Sequence, residues 1–327
     1  MATNPIYACG RHRDDWAENR KKLENCVVGF GHKTEGEKDG EYYVVNDDSD
    51  DDMLNPKPGT LRWAVIRDEP LWIIFACDMH IKLSHELIMQ SKKTIDGRGA
   101  NVHIAYGAGI TIQFVHDVII HGIHVHHILP SKGAVIRDSM GHYGQQTMGD
   151  GDGIKHIRIN KHLARSPFDV GMPRRTHRCN PRFHGHHNLK LSFHPSQRRK
   201  YIHTPHHVLH ITHVFTNTSH NQCGGMHPTI ISQGNRFVAL EDNNAKEVTN
   251  RNYAPESEWS KWIWRSEGDL LLNGARFRTS GPLKSPHYEF TKMEMIDAKP
   301  ATFVGKLTKF TGAIECKKGE TVLTGST

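Results

Sequence analysis

Between Gly59 and Ser139 the chain is a succession of short apolar runs separated by Gly, Asp and Asn, and this spacing limits what it can fold into. Leu71-Trp-Ile-Ile-Phe75, Glu86-Leu-Ile-Met89, Lys93-Thr-Ile-Asp96, Asn101-Val-His-Ile104, Ile110-Thr-Ile-Gln-Phe114, Val118-Ile-Ile-His121 and Ile123-His-Val-His126 each read as a strand of three to five residues. No long stretch of helical period separates them, which argues against βαβ units. Strand pairs recur with an advance of roughly 20–25 residues, the coil length of a parallel β-helix. In that architecture each coil stacks on the last and its inward residues form apolar ladders. A sandwich or barrel is the competing all-β arrangement; the recurring advance favours the β-helix.

Composition narrows the function classes. Mean hydropathy is −0.59, and no run approaches the roughly 18 apolar residues a spanning helix needs, so no membrane partner is expected. The net charge of +7 invites a polyanion, but it is unevenly placed. Between Lys155 and His227 twelve Lys and Arg stand against one acid, Asp169, and 14 of the 26 histidines fall in the same stretch. Aromatic interleaving there is limited to Phe168, Phe183, Phe193, Tyr201 and Phe215. Base stacking is therefore poorly supported and no nucleic-acid partner is expected. Upstream, Asp47-Asp-Ser-Asp-Asp-Asp52 lacks the alternating ligands and turn glycine of a calcium loop, and is expected to be a solvated loop. Downstream, His227 to Asn235 looks like another coil, and Trp259 to Asn273 like a strand-and-loop cover.

The six cysteines form no CxxC pair, so zinc-ribbon and thioredoxin spacings are absent. Cys9 and Cys26 flank a helical stretch, Asp14 to Lys22. Spacing leaves a short disulfide loop and two free thiols equally open. Met1-Ala-Thr-Asn-Pro5 has no apolar signal-peptide segment, so the chain is expected to be cytosolic or a mature form whose leader has been removed.

Longer runs carry a resemblance. They are Trp16-Ala-Glu-Asn-Arg-Lys-Lys-Leu-Glu-Asn-Cys26, Gly29-Phe-Gly31, Asn55-Pro-Lys-Pro-Gly-Thr-Leu-Arg62, Pro70-Leu-Trp-Ile-Ile-Phe75, Lys93-Thr-Ile-Asp-Gly-Arg-Gly-Ala100, Asn101-Val-His103, Val118-Ile-Ile-His121 and Asp150-Gly-Asp-Gly-Ile154. The likeness resumes with Pro228-Thr-Ile-Ile-Ser-Gln-Gly-Asn-Arg-Phe237, Ala245-Lys-Glu-Val248 and Trp264-Arg-Ser-Glu-Gly-Asp-Leu-Leu-Leu-Asn-Gly274. Together they resemble the plant pectate lyases of polysaccharide lyase family 1, a group that includes pollen allergens. The resemblance covers residues 4–154 and 228–315 of a single domain spanning 1–327, and leaves 155–227 unmatched. It implies a right-handed parallel β-helix, secreted to the cell wall, with Cys9 and Cys26 paired; a monomer is expected.

The activity implied is calcium-dependent eliminative cleavage of α-1,4-linked polygalacturonate, with pectin as the partner polymer. The C5 proton of galacturonate is weakly acidic, so Ca²⁺ on the C6 carboxylate must draw charge from the developing enediolate. Ca²⁺ takes six to eight oxygens, hence a cluster of acids on neighbouring coils. An arginine acts as the base, which requires a cationic surround to lower its pKa. Asp150 matches the family's first calcium ligand, and Asp152 matches its companion. The next family features are a Trp-Ile-Asp-His strand, a Cys-x-Asp-Gly-Leu-Ile-Asp-Ala stretch with two more ligands, and an Arg-Met-Pro-Arg-x-Arg stretch with the catalytic arginine. None is present between 155 and 227, so no catalytic residue is assigned. An inactive, allergen-like β-helix that binds pectate weakly is the alternative.

Back-translation accounts for the gap. The codons of Met172-Pro-Arg-Arg-Thr-His-Arg-Cys179, read one base later, permit Cys-x-Asp-Gly-Leu-Ile-Asp-Ala. Asn160-Lys-His-Leu-Ala-Arg-Ser166 shifted likewise permits Asn-Ile-Trp-Leu-Asp-His, and His187 to His194 permits a Thr/Ile-rich strand. Three collinear matches in one frame point to an extra base near codon 155, with the frame restored before Pro228. On this reading Met172-Pro-Arg-Arg175 and Arg165-Ser-Pro167 only echo the arginine motif. The clusters His184-Gly-His-His187 and His203 to His213 would bind Zn²⁺ or Ni²⁺ adventitiously, because a coordinating site needs a fixed scaffold. His121, His124, His126 and His127 are expected to be exposed or satisfied within the core. The middle segment is expected to be irregular, leaving the N-terminal coils open at their last rung.

Overall fold

The structure, a computed structural model, describes residues 14–27, 33–149, 151–157, 163–165, 168–171, 191–192, 229–239, 246–249, 255–282 and 298–308, with 241 and 243. Its first strands are β1 (Glu41–Val45), β2 (Leu71–Phe75), β3 (Met79–Ile81), β4 (Leu87–Ile88), β5 (Lys93–Asp96), β6 (Val102–Ala105), β7 (Ile110–Gln113), β8 (Val118–His121) and β9 (His124–His126). A hairpin follows, β10 (Ala134–Arg137) against β11 (Tyr143–Gln146), then β12 (Ile154–Ile157), β13 (Leu163–Arg165), β14 (Phe168–Gly171) and β15 (Leu191–Ser192). Apart from the hairpin they stack in parallel into three narrow sheets, ordered β1-β2-β5-β8-β13, β4-β7-β12 and β3-β6-β9-β14-β15. This is the parallel coil arrangement the spacing predicts. Leu71 lies beside Lys93 and Lys93 beside Val118, so the chain advances 22 and then 25 residues per coil.

The inward positions form the core. Ile73, Ile95 and Ile120 align in one sheet, Ile81, Ile104 and Val125 in the second, and Leu87, Ile110 and Ile154 in the third. All nine are buried. Apolar burial at about 25 cal/mol per Å² makes each such ladder a major stabilising element.

The family-like motifs serve as fasteners for this core. Arg98 grips Asp96 in bidentate fashion, at 2.8 and 2.7 Å, while Arg20 reaches the same carboxylate at 3.1 Å and Trp72 Nε1 donates to it at 3.2 Å. Arg20 also donates to the Arg98 carbonyl, and Arg98 to the Arg20 carbonyl, both at 2.8 Å. The 3-10 segment Arg20–Cys26 is thereby pinned across the outer face of the first sheet, where Leu23 packs with Trp72 and Ile119. Burial would raise the Asp96 carboxyl, but the charge and hydrogen bonds of Arg98, with Arg20, hold it well below the usual carboxylate range. Gly99 adopts φ +89 with its Cα facing Trp16; a Cβ there would lie 2.9 Å from the indole.

A second fastener corrects one expectation. The acid run 47–52 is not uniformly solvated, because Asp50 is buried and holds Arg62 at 2.5 and 2.7 Å. Asp50 also accepts from Ser84 N and Oγ at 2.8 Å, and Arg62 donates to the carbonyls of His85 and Glu86. A fully buried guanidinium requires a carboxylate partner, and one member of the run supplies it.

Two further expectations change. The segment 259–273 is a coil, not a cover: β16 (Thr229–Gln233) pairs in parallel with β18 (Ile263–Glu267), and β17 (Arg236–Val238) with β19 (Leu270–Leu272). The expected open rung at 154 is not found either. β12, β13 and β14 pair in parallel with β7, β8 and β9 and carry the stack into the segment expected to be irregular. Ladder hydrogen bonds are made by backbone groups and tolerate side chains that do not suit the core. Apart from these strands and β15, residues 158–227 lie outside the described residues, as do both histidine clusters and Met172-Pro-Arg-Arg175.

Candidate active site

The Asp-Gly-Asp motif precedes β12, at the edge of the sheet β4-β7-β12. Gly149 N donates to the Ser131 carbonyl at 2.9 Å, and Gly151, at φ +84, packs against Pro130. Gly153 accepts from Ile110 N at 3.0 Å. Asp152 is half-buried, and Asp150 lies outside the described residues. The loop leans on Gly109, where an added Cβ would meet the Asp152 carbonyl at 2.0 Å and that of Gly153 at 2.8 Å. Gly109→Ala must therefore push the loop off β7, an overpacking expected to cost about 1–3 kcal/mol in chemical denaturation; an unchanged midpoint would show the loop is not seated there.

Along the same sheet Ile88, Thr111 and Lys155 are in register. Lys155 Nζ lies 3.9 Å from Glu86 Oε1, with both side chains close to nine-tenths buried. Sequence reasoning missed this ion pair, since Glu86 and Lys155 are far apart in the chain and no motif joins them. It engages the acid nearest in register to the loop. Among the described residues no group of three or more His, Cys, Asp or Glu converges on a point that could hold a metal ion. With Glu86 engaged, Asp152 is the one described carboxylate of the loop, so the described residues do not complete the oxygen shell Ca²⁺ requires.

The histidines form a different feature. His80, His103 and His124 occupy successive rungs, with rings stacked at 4.5 and 4.4 Å. His103 Nδ1 is 2.7 Å from His126 Nε2, His126 Nδ1 is 2.6 Å from His127 Nδ1, and His103 Nε2 is 3.0 Å from Asn101 Oδ1. Ring nitrogens of His103, His126 and His127 thus pair with one another or with Asn101, and His121 is buried. Cys26 is buried and disulfide-bonded. Cys9 lies outside the described residues, while Cys77, the other described cysteine, is free and exposed.

Stacked parallel coils of this kind have a solved counterpart. Jun a 1, the major allergen from cedar pollen, matches with a TM-score of 0.69 and 27% identity over 95% of this chain and 99% of its own. The chain is thus a protein of the parallel β-helix class. Its sequence is 44% identical to a probable pectate lyase 7 of Arabidopsis thaliana over 98% of this chain and 74% of that protein. It is 44% identical to a pectate lyase of Lilium longiflorum, over 97% and 80%, and 40% identical to one of Zinnia elegans, over 97% and 86%. No protein-family model matches. On these relatives the chain belongs to the plant pectate lyase family, whose members are carbon–oxygen lyases. The Arabidopsis alignment runs over 360 residues against the 327 of this chain, so it includes positions that this chain lacks.

Proposed function

We propose that the chain descends from a calcium-dependent eliminative lyase of α-1,4-polygalacturonate and that its own turnover is at or near zero. The observation carrying this is the interval after Asp152, which lacks the second acid-bearing stretch and the arginine stretch of the family. The excess length of the relative's alignment is consistent with lost residues. Asp150 and Asp152 would be the surviving calcium ligands; when bound, the ion would supply charge stabilisation to an enediolate. In this proposal the coils are right-handed, Cys9 pairs with Cys26, and the protein is a secreted monomer of the cell wall.

The experiment is absorbance of unsaturated uronate from polygalacturonate, with and without chelator. A background rate unaffected by chelator is the expected outcome; calcium-dependent product formation would contradict the impairment. Retention on immobilised polygalacturonate without turnover would assign the weak-binding, allergen-like role.

A further inference from the structure

Away from the Asp-Gly-Asp loop, the segment 35–40 crosses the turns that precede β2, β5 and β8 and encloses a crevice of about 890 Å³. Seven carboxylates line it against three cationic side chains, Lys38, Arg67 and Lys92. That balance is opposite to the chain's net charge of +7. Glu37 lies at the floor, 6% exposed, and its buried Oε1 has no hydrogen-bond partner. Glu24 lines the same crevice, and its Oε2 is likewise buried and unpartnered. The nearest deep cation does not relieve Glu37. Lys93 Nζ directs its protons to the carbonyls of Glu69, Ser91 and Lys92, at 2.9, 3.0 and 3.5 Å. Burial pushes the Glu37 carboxyl up to about 7, against the lowering pull of Lys92, Lys93 and His116 and with a further rise from Asp117. Two unpaired buried carboxylate oxygens are costly in the free protein, and a bound cation would remove that cost.

We infer that this crevice binds a linear organic polyamine, with Glu37 anchoring one ammonium and Glu24, Glu35 or Asp39 the next. A metal ion fits poorly, because the crevice is far larger than one ion and no three donors converge among the described residues. Pectate, a polyanion, would be repelled by the same carboxylates. Tyr42, Tyr43 and Trp63 also line the crevice, with Lys21 of the chain 5.0 Å from the Tyr42 ring and Arg67 4.5 Å from that of Trp63, so the carboxylates and not these ring faces carry the recognition. The site is independent of whether the chain has lyase activity.

Spermine titrated calorimetrically into the full chain at low ionic strength is expected to show one saturable site. Glu37→Gln and the pair Glu35→Gln with Asp39→Asn should each weaken it about tenfold or more. Asp51→Asn with Asp52→Asn, on the exposed acid run, should leave it unchanged. Affinity should rise from pH 6 to 8 as Glu37 loses its proton. Folding of Glu37→Gln can be checked directly. A carboxyl whose folded pKa is raised loses stability as pH climbs from its unfolded value toward 7, so this variant should melt higher than the parent at pH 8. Lack of saturable binding, equal weakening by the Asp51/Asp52 variant, or displacement of spermine by equimolar Ca²⁺ would each overturn the assignment.

Discussion

Purified protein of this sequence is expected to degrade polygalacturonate no faster in the presence of calcium than in the presence of chelator. Two ingredients of elimination are concerned. A positioned general base contributes about 10²–10⁴-fold, and charge stabilisation at the developing enediolate about another 10²–10³-fold. The two stretches expected to bring the base and two further calcium ligands are absent from 155–227, so the combined loss should exceed about 10⁴-fold relative to an intact member of the family. Among the described residues the neighbouring acid, Glu86, is engaged by Lys155. A rate within tenfold of an intact relative, abolished by chelator, would mean that other residues of this chain have taken over both roles.

The largest effect on stability is expected at Asp96. Its carboxylate is fully buried and accepts from Arg20, Trp72 and Arg98. Asp96→Ala leaves two guanidinium groups without their counter-charge, one of them buried on Arg98, and should cost about 3–5 kcal/mol. Because the folded carboxyl is held well below the usual range, its contribution is present at every pH above the ordinary carboxylate pKa. It is lost only as pH falls through the depressed folded value. The parent and the variant should therefore differ by the same amount at pH 8 and pH 6, and the gap should narrow only in strong acid. Denaturant unfolding across pH measures this; a difference below about 1 kcal/mol would show that the pair can be dispensed with.

The coils were legible because their signal is local. Runs such as Val118-Ile-Ile-His121 carry strand propensity and inward period in the same four residues, and the repeated advance places them in register. What escaped was long-range. Asp50 looks like any other acid in a solvated run until Arg62 closes on it from across a turn. The coil at 263–272 escaped because its parallel pairing with 229–233 and 236–238 joins strands far apart in the chain; Trp259, Trp262 and Trp264 pack together as a cluster. For the candidate site, the sequence supplied the loop with its two acids, Asp150 and Asp152. Only the structure shows Lys155 and Glu86 brought together beside it, because that contact depends on a register across β4, β7 and β12.

The most direct measurement is the nucleotide sequence encoding residues 150–230. An inherited lyase centre displaced by a reading-frame change predicts that the bases of codons 155–194, read one position later, spell the family's Asn-Ile-Trp-Leu-Asp-His and Cys-x-Asp-Gly-Leu-Ile-Asp-Ala in order, with a compensating change before codon 228. Codons whose shifted reading yields neither stretch would contradict that origin for the altered centre.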